Sequence, residues 1–336
     1  MVETPVLYIT FARPEYASQS FAAIKKARPK KLYFYSNKAR ANKPDEIARN
    51  EEVRSYIKQI DWDCEVKTWF RDEYVDVLTS LLGAIDWLFK NEERGIVIEE
   101  DVVASVAFFE YCDKLLVIHE HNENVWMISG DNYCPEYTPD NVDYFYSKFL
   151  MIYGWASWRN RWDRMDRELS FWPSYRKSKQ FKIYWGCSLI SCWKKYYWDR
   201  SFNKHASIKA WDGMFFLNMA YNNGVSIVPI RNLTADIGFV GDHINGIKNN
   251  TMELVDFTND SYPIVRHPKL MMSDKKYDFH LFLKLEIFKR LKNINKILSK
   301  KIALKFGLAG VETGIDMSYL VQGYGVVIVK DETTYE

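Results

Sequence analysis

Gly95-Ile96-Val97-Ile98-Glu99-Glu100-Asp101 is an apolar run that stops on three consecutive carboxylates. Ile96–Ile98 reads as a short buried strand, and the acidic triplet marks its carboxyl end. Three like charges side by side repel one another unless a cation or solvent relieves them. A hard divalent ion with oxygen ligands, Mn²⁺ or Mg²⁺, is the natural partner and could bridge to phosphate oxygens. Taken alone, the triplet also suits a solvated turn ahead of a helix, where carboxylates favour the positive end of the dipole.

The neighbouring sequence gives the strand its setting. Val6–Phe11, Leu32–Tyr35, Cys64–Trp69 and Val125–Ile128 are short β-rich runs. Between them, helical periodicity covers Pro14–Ala27, Asp45–Ile60, Val75–Phe89 and most of Val102–Ile118. Strands alternating with helices predict an α/β fold: a mainly parallel, doubly wound sheet with right-handed crossovers and helices on both faces. Ligands of such sheets bind at the carboxyl ends of the strands, where the triplet lies. From Asp131 to about Lys209 the pattern is irregular and crowded with aromatics; a helix over Ala210–Asn222 and a strand over Val225–Val228 follow. Residues 231–272 read as loop-rich, with Gly238, Gly241 and Gly246 close together, and 275–305 as a basic helix.

Composition narrows the class. Of 336 residues, 47% are hydrophobic and 27% charged, which fits a globular chain and excludes global disorder. A net charge of +2 gives no global field for nucleic acid. Aromatics reach 16%, with 12 Trp and 22 Tyr, and composition alone assigns them to the core. The cysteines, Cys64, Cys112, Cys134, Cys187 and Cys192, form no Cys-x-x-Cys pair, and the start Met1-Val-Glu-Thr-Pro5 lacks a signal-peptide pattern. Together they predict a reducing, cytoplasmic setting.

Several ordered motifs resemble one family. Gly95–Asp101 followed by Phe108-Phe109-Glu110-Tyr111 is similar to the Glu-Asp-Asp region of N-acetylglucosaminyltransferase I and its bacterial relatives, glycosyltransferases of the GT-A fold. Pro5–Pro14 resembles their opening strand. Further matches are Ile60–Lys67, Gly154-Trp155-Ala156-Ser157-Trp158, Trp211-Asp212 ahead of a helix, and Asp236-Ile237-Gly238-Phe239. The resemblance spans about residues 5–245. It departs at the triplet, Glu-Glu-Asp in place of Glu-Asp-Asp, and at Tyr74–Ser80, which replaces a glycine-containing loop.

The resemblance implies a metal-dependent, inverting transferase that moves a sugar from a nucleotide diphosphate sugar, such as a UDP-sugar, to a glycan or lipid-linked acceptor in surface polysaccharide synthesis. Asp101 would bind the metal, with Glu100 on the ribose or a metal-bound water and Glu99 beside it. Asp212 would be the general base; on residue type alone it reads as a helix cap. Arg13 and Arg71, after the first and third strands, would contact the diphosphate, although each also suits a surface ion pair. His243 would complete the metal site. Trp155, Trp158 and Trp211 would shape the acceptor side, or else pack in the core.

The expected organisation is a catalytic domain over 1–245, with a nucleotide-sugar half (1–130) and an acceptor half (131–245), and an extension over 246–336. Within that extension Leu281, Leu285, Phe288, Leu291, Ile294, Leu298 and Ile302 recur at helical spacing. Residues 275–305 carry ten Lys or Arg against Asp278 and Glu286, which fits either peripheral contact with an anionic membrane or docking on protein. Two rival functions stand beside the transferase. A sugar-phosphate nucleotidyltransferase should carry a Gly-rich basic loop after the first strand, where this chain has Phe11-Ala-Arg-Pro14. The other is a sugar- or nucleotide-binding homologue without turnover.

Overall fold

The computed structural model describes residues 2–186, 188–205, 210–238 and 255–288. The chain divides into two compact units, 1–278 and 279–336. His243, most of the proposed basic helix and the end of the Asp236–Phe239 motif lie outside the described residues.

The first unit is built on an eight-stranded sheet. Strands β1 (Val6–Thr10), β2 (Lys31–Ser36), β3 (Glu65–Phe70) and β4 (Arg94–Glu99) alternate with helices α1 (Pro14–Ala27), α2 (Pro44–Ser55) and α3 (Val77–Asn91). Pro14 and Pro44 open their helices, where a missing N–H costs nothing, and Asp76 caps α3 by accepting from the Thr79 amide. After the acidic triplet come β5 (Val102–Ala104), α4 (Val106–Ile118) and β6 (Val125–Ser129). The region read as irregular holds β7 (Tyr144–Ser147), β8 (Trp155–Trp158) and the short helices α5 (Arg159–Trp162), α6 (Trp172–Tyr175) and α7 (Lys179–Trp185). Helices α8 (Ser188–His205) and α9 (Trp211–Tyr221) precede β9 (Val225–Pro229) and β10 (Thr234–Asp236). Helix α10 (Lys275–Phe282) and a π-helical turn over Leu283–Phe288 end the described residues.

The strand order is β3-β2-β1-β4-β8-β6-β9-β7. β3, β2, β1 and β4 run parallel, as do β6 and β9, while β8 lies antiparallel between β4 and β6 and β7 closes the far edge antiparallel to β9. A small second sheet pairs β10 with β5. The expected α/β class and mainly parallel sheet are therefore present, in an arrangement consistent with the GT-A design. Continuous burial of β1, β6, β8 and β9 accounts for their unalternating apolar sequences.

Two expectations about elements change. Val102–Ala104 is strand rather than helix: the β-branched Val102-Val103 pair joins β10, and Ser105, accepting from the Phe108 amide at 3.3 Å, starts α4 only afterwards. Trp155 and Trp158 lie inside β8 and are buried, so they belong to the core rather than to an acceptor surface. Among the described residues, no helix is long and apolar enough to cross a membrane.

Candidate active site

β1 and β4 are hydrogen-bonded neighbours, with Ile9 in register with Glu99, so the triplet emerges beside the turn that follows β1. Its three carboxylates then diverge. Glu100 turns inward and is 2% exposed. Its Oε2 accepts from the Phe11 amide at 2.7 Å and its Oε1 from Arg13 Nε at 2.6 Å, while its carbonyl accepts from Ser20 Oγ at 2.8 Å. Glu100 thus ties the 11–13 segment to the triplet, and it also borders the first of the two hollows described below.

Arg13 reaches on from Glu100 to Asp101, whose Oδ2 lies 3.0 Å from Arg13 Nη2. Burial works against the guanidinium charge, but the Asp101 and Glu100 carboxylates outweigh it and hold Arg13 firmly protonated. Burial pushes Glu100 up while Arg13 and the Phe11 amide pull it down. The 2.6 Å bond from Arg13 Nε has the length of a charge-assisted pair, and the Phe11 amide occupies the other carboxylate oxygen.

Asp101 is met from the other side by β10. Asp236 pairs with Val102, the Ile237 amide donates to the Asp101 carbonyl at 2.9 Å, and Asp236 Oδ1 accepts from the Gly238 amide at 2.9 Å. A Cβ on Gly238 would stand 2.5 Å from Asp101 Oδ2, so only glycine allows this approach. The Asp236 carboxyl is pushed up, first by burial and then by Asp101. Tyr153 also bonds to Asp236 through its side chain.

Glu99 opens outward, between two hollows. The first, about 600 Å³, is walled by Phe11, Arg13, Asn37, Arg40, Tyr74 and Glu99. The second, about 370 Å³, is walled by Asp101, Tyr153, Trp211 and Asp212, again with Glu99. Burial, followed by Asp101, pushes the Glu99 carboxyl up to about 8; Arg13 opposes this, and Asp212 and Asp236 add to it. Aromatic rings line the first hollow: Phe11 and Tyr74 lie 6.2 Å apart, and the Arg40 guanidinium sits 5.8 Å from the Tyr74 ring.

Asp212 is the second residue of α9, where a carboxylate favours the helix dipole. The helix start is held by tryptophans. Trp211 stacks on Trp155 with centroids 5.1 Å apart at 25°, and both pack on Trp162. Gly154, at φ +78°, lets the chain enter β8 beside Thr234, whose Cγ2 would lie 2.7 Å from an added Cβ. The Gly154-Trp155 and Trp211-Asp212 motifs are therefore a single packing unit that aims Asp212 into the second hollow. Burial raises the Asp212 carboxyl, and its own and the Gly213 amide counter this.

The structure brings Arg13, Glu99, Asp101, Trp211 and Asp212 to these adjoining hollows, with Tyr153 as a wall residue that sequence reasoning did not single out, while Asp236, known only as part of a motif, stands beside Asp101. Arg71 stands apart: its Nε donates to Tyr35 Oη at 2.5 Å and its guanidinium lies 4.6 Å from the Trp69 ring. Among the described residues, no group of three or more His, Cys, Asp and Glu has metal-binding geometry. Asp101 and Asp236 do supply hard carboxylate oxygens suited to Mg²⁺ or Mn²⁺, and Arg13 provides the positive charge beside Asp101 here.

No protein-family model and no curated protein matches the chain. Among solved structures, a mannosyltransferase of Pyrobaculum calidifontis in complex with GDP-Man and Mn²⁺ is similar at 11% identity and a TM-score of 0.34, over 49% of this chain and 47% of that one. The chain thus spans about half the length of that relative. Mouse xyloside xylosyltransferase 1 matches at 12% identity and a TM-score of 0.32, over 65% of this chain and 81% of that one. An apo UDP-glucose pyrophosphorylase matches at 8% and 0.34, over 71% and 94%. Glycosyltransferases and nucleotidyltransferases both stand among these neighbours, and likeness at this level carries no argument about this chain's activity.

Proposed function

We propose that the chain is a nucleotide-sugar-dependent glycosyltransferase, related in design to N-acetylglucosaminyltransferase I and its bacterial relatives. The observation that supports it most is the pair of hollows meeting at Glu99, with Arg13 in the first and Asp101 and Asp212 in the second. The first hollow takes the nucleotide, its base against Phe11 and Tyr74 and its diphosphate toward Arg13. The second takes the transferred sugar and the acceptor.

Asp212 accepts the proton of the acceptor hydroxyl as that oxygen bonds to the anomeric carbon. The bond from that carbon to the diphosphate breaks, the nucleoside diphosphate leaves with its electron pair, and the anomeric configuration inverts. Burial of Asp212 suits this role by making its carboxylate more basic than in water. Arg13 faces the departing diphosphate. Mn²⁺ or Mg²⁺, held by Asp101 with Asp236 across the small sheet, would add positive charge at the same place.

A sugar-phosphate nucleotidyltransferase is less well supported, because only Phe11-Ala12-Arg13, without a glycine, separates β1 from Pro14 at the start of α1, too short for a Gly-rich phosphate-cradling loop. The acceptor in this proposal is a glycan or lipid-linked glycan. A panel of UDP- and GDP-sugars with Mn²⁺ tests the reading through release of nucleoside diphosphate. Asp212→Asn should bind donor normally and lose turnover by a hundredfold or more, on the order expected for a missing general base. Full turnover in that variant would remove Asp212 from the mechanism, and failure to bind any nucleotide-sugar would remove the whole reading.

A further inference from the structure

The β7 edge lies far across the sheet from the nucleotide hollow and carries a different chemistry. Val265, Leu270 and Met272 are 75%, 69% and 61% exposed, in a stretch that also holds Lys269, Lys275 and Lys276. The stretch is anchored: Ser273 bridges to Tyr146 of β7, and the Asp274 amide donates to the Tyr146 carbonyl at 2.8 Å. Asp274, the only acid between 265 and 276, accepts from the Tyr277 amide at 2.8 Å. A hollow of about 460 Å³ lies there, with Val142, Phe145 and Met272 as apolar wall and Lys269, Lys275 and Lys276 around it. The end of β7 is also tied to α7, because Lys148 Nζ donates to the Tyr184 carbonyl. Next to Tyr184, Ile183 is 77% exposed, and Lys179 and Lys182 belong to the same short helix.

We propose that this edge docks on an anionic lipid bilayer. Leu270 and Met272 enter the boundary between headgroups and acyl chains, and Lys269 and Lys275 meet lipid phosphates. Apolar side chains standing in water cost free energy that a bilayer interface recovers, and each nearby Lys adds attraction to an anionic leaflet. A protein partner would need acidic groups fixed opposite each lysine, whereas a fluid anionic surface supplies them wherever the lysines fall. The inference stands independently of the glycosyltransferase reading, since none of these residues lines the two hollows.

Co-sedimentation of the full chain with phosphatidylcholine vesicles, with and without phosphatidylserine, tests it. Binding should require phosphatidylserine and weaken as salt is raised. Lys269→Ala and Lys275→Ala should each weaken binding about fivefold, and Leu270→Ser with Met272→Ser should abolish most of it. All four side chains are exposed, so thermal midpoints and nucleotide binding should stay at wild-type values. Equal binding to both kinds of vesicle, no binding to either, or anionic binding untouched by all four substitutions would each overturn the proposal. The last result would assign any membrane affinity to another part of the chain.

Discussion

Glu100→Gln tests the tie between the triplet and the nucleotide hollow, because it keeps the side chain's shape and removes its charge. The carboxylate holds two short bonds, 2.7 Å to the Phe11 amide and 2.6 Å to Arg13 Nε. An amide oxygen can keep one of them as a neutral bond and leaves the guanidinium facing an N–H₂. Loss of one charge-assisted bond costs about 1.5–3 kcal/mol. The larger penalty of stranding a buried charge does not apply, since Arg13 keeps Asp101 at 3.0 Å and its side chain is 32% exposed. At roughly 2–4 °C per kcal/mol for a domain of this size, the thermal midpoint should fall by about 3–12 °C.

Part of that loss will be offset, because an amide is easier to bury than a carboxylate, so a single variant is not decisive. A double-mutant cycle of Glu100→Gln with Arg13→Met, read by urea denaturation, isolates the pair and should give a coupling of about 1.5–3 kcal/mol. Titration calorimetry on the same variants should show weaker nucleotide binding, since Phe11 and Arg13 wall the first hollow. A coupling near zero, or unchanged nucleotide affinity after a clear loss of stability, would refute the idea that Glu100 shapes that hollow.

Three further outcomes are expected. Gly238→Ala should displace the Asp101 carboxylate, which a Cβ would meet at 2.5 Å, costing about 1–2 kcal/mol and reducing Mn²⁺-dependent nucleotide binding in calorimetry. Trp211→Ala should cost about 3–5 kcal/mol by emptying its place against Trp155 and Trp162, and turnover should fall further than nucleotide affinity because the start of α9 loosens. His119 is held down at about 4, first by burial and then by His267 and Arg161, so it is neutral where the unfolded chain would be protonated. Its contribution is present above pH ~6.5 and lost as pH falls toward 4, by about 2 kcal/mol after allowance for partial hydration. His119→Gln should flatten that part of the stability–pH curve in denaturant titrations at a series of pH values.

Legibility of the fold followed how local its determinants are. The alternation from β1 to β6 was readable because each run carries its own periodicity and its own punctuation, such as Pro14 and Pro44 at helix starts. β5 was absorbed into a helix because Val102–Ala104 runs into α4 without a glycine or proline, and its strand character comes from β10, more than a hundred residues away. β7 and β8 were hidden among aromatics because both are wholly buried and show no alternation. Asp101 and Asp212 stood out by charge and by motif. Glu100 did not reveal its partners, since Arg13 and Phe11 lie about ninety residues upstream. Trp155 and Trp158 read equally well as sugar platforms or as core, and burial placed them in the core.

The position of β8 has a consequence for how the chain is made. β4 and β6 do not touch; each is closed by β8, which lies after both in sequence. Until residue 158 has left the ribosome, the parallel sheet ends on the bare edge of β4 and β6 has no partner strand at all. Such edges invite pairing with other chains. A nascent chain stalled between β6 and β8 should therefore recruit chaperones more heavily than one that has also completed β9, which pairs the other edge of β6, and a fragment ending near residue 130 should aggregate rather than fold as an independent nucleotide-binding half.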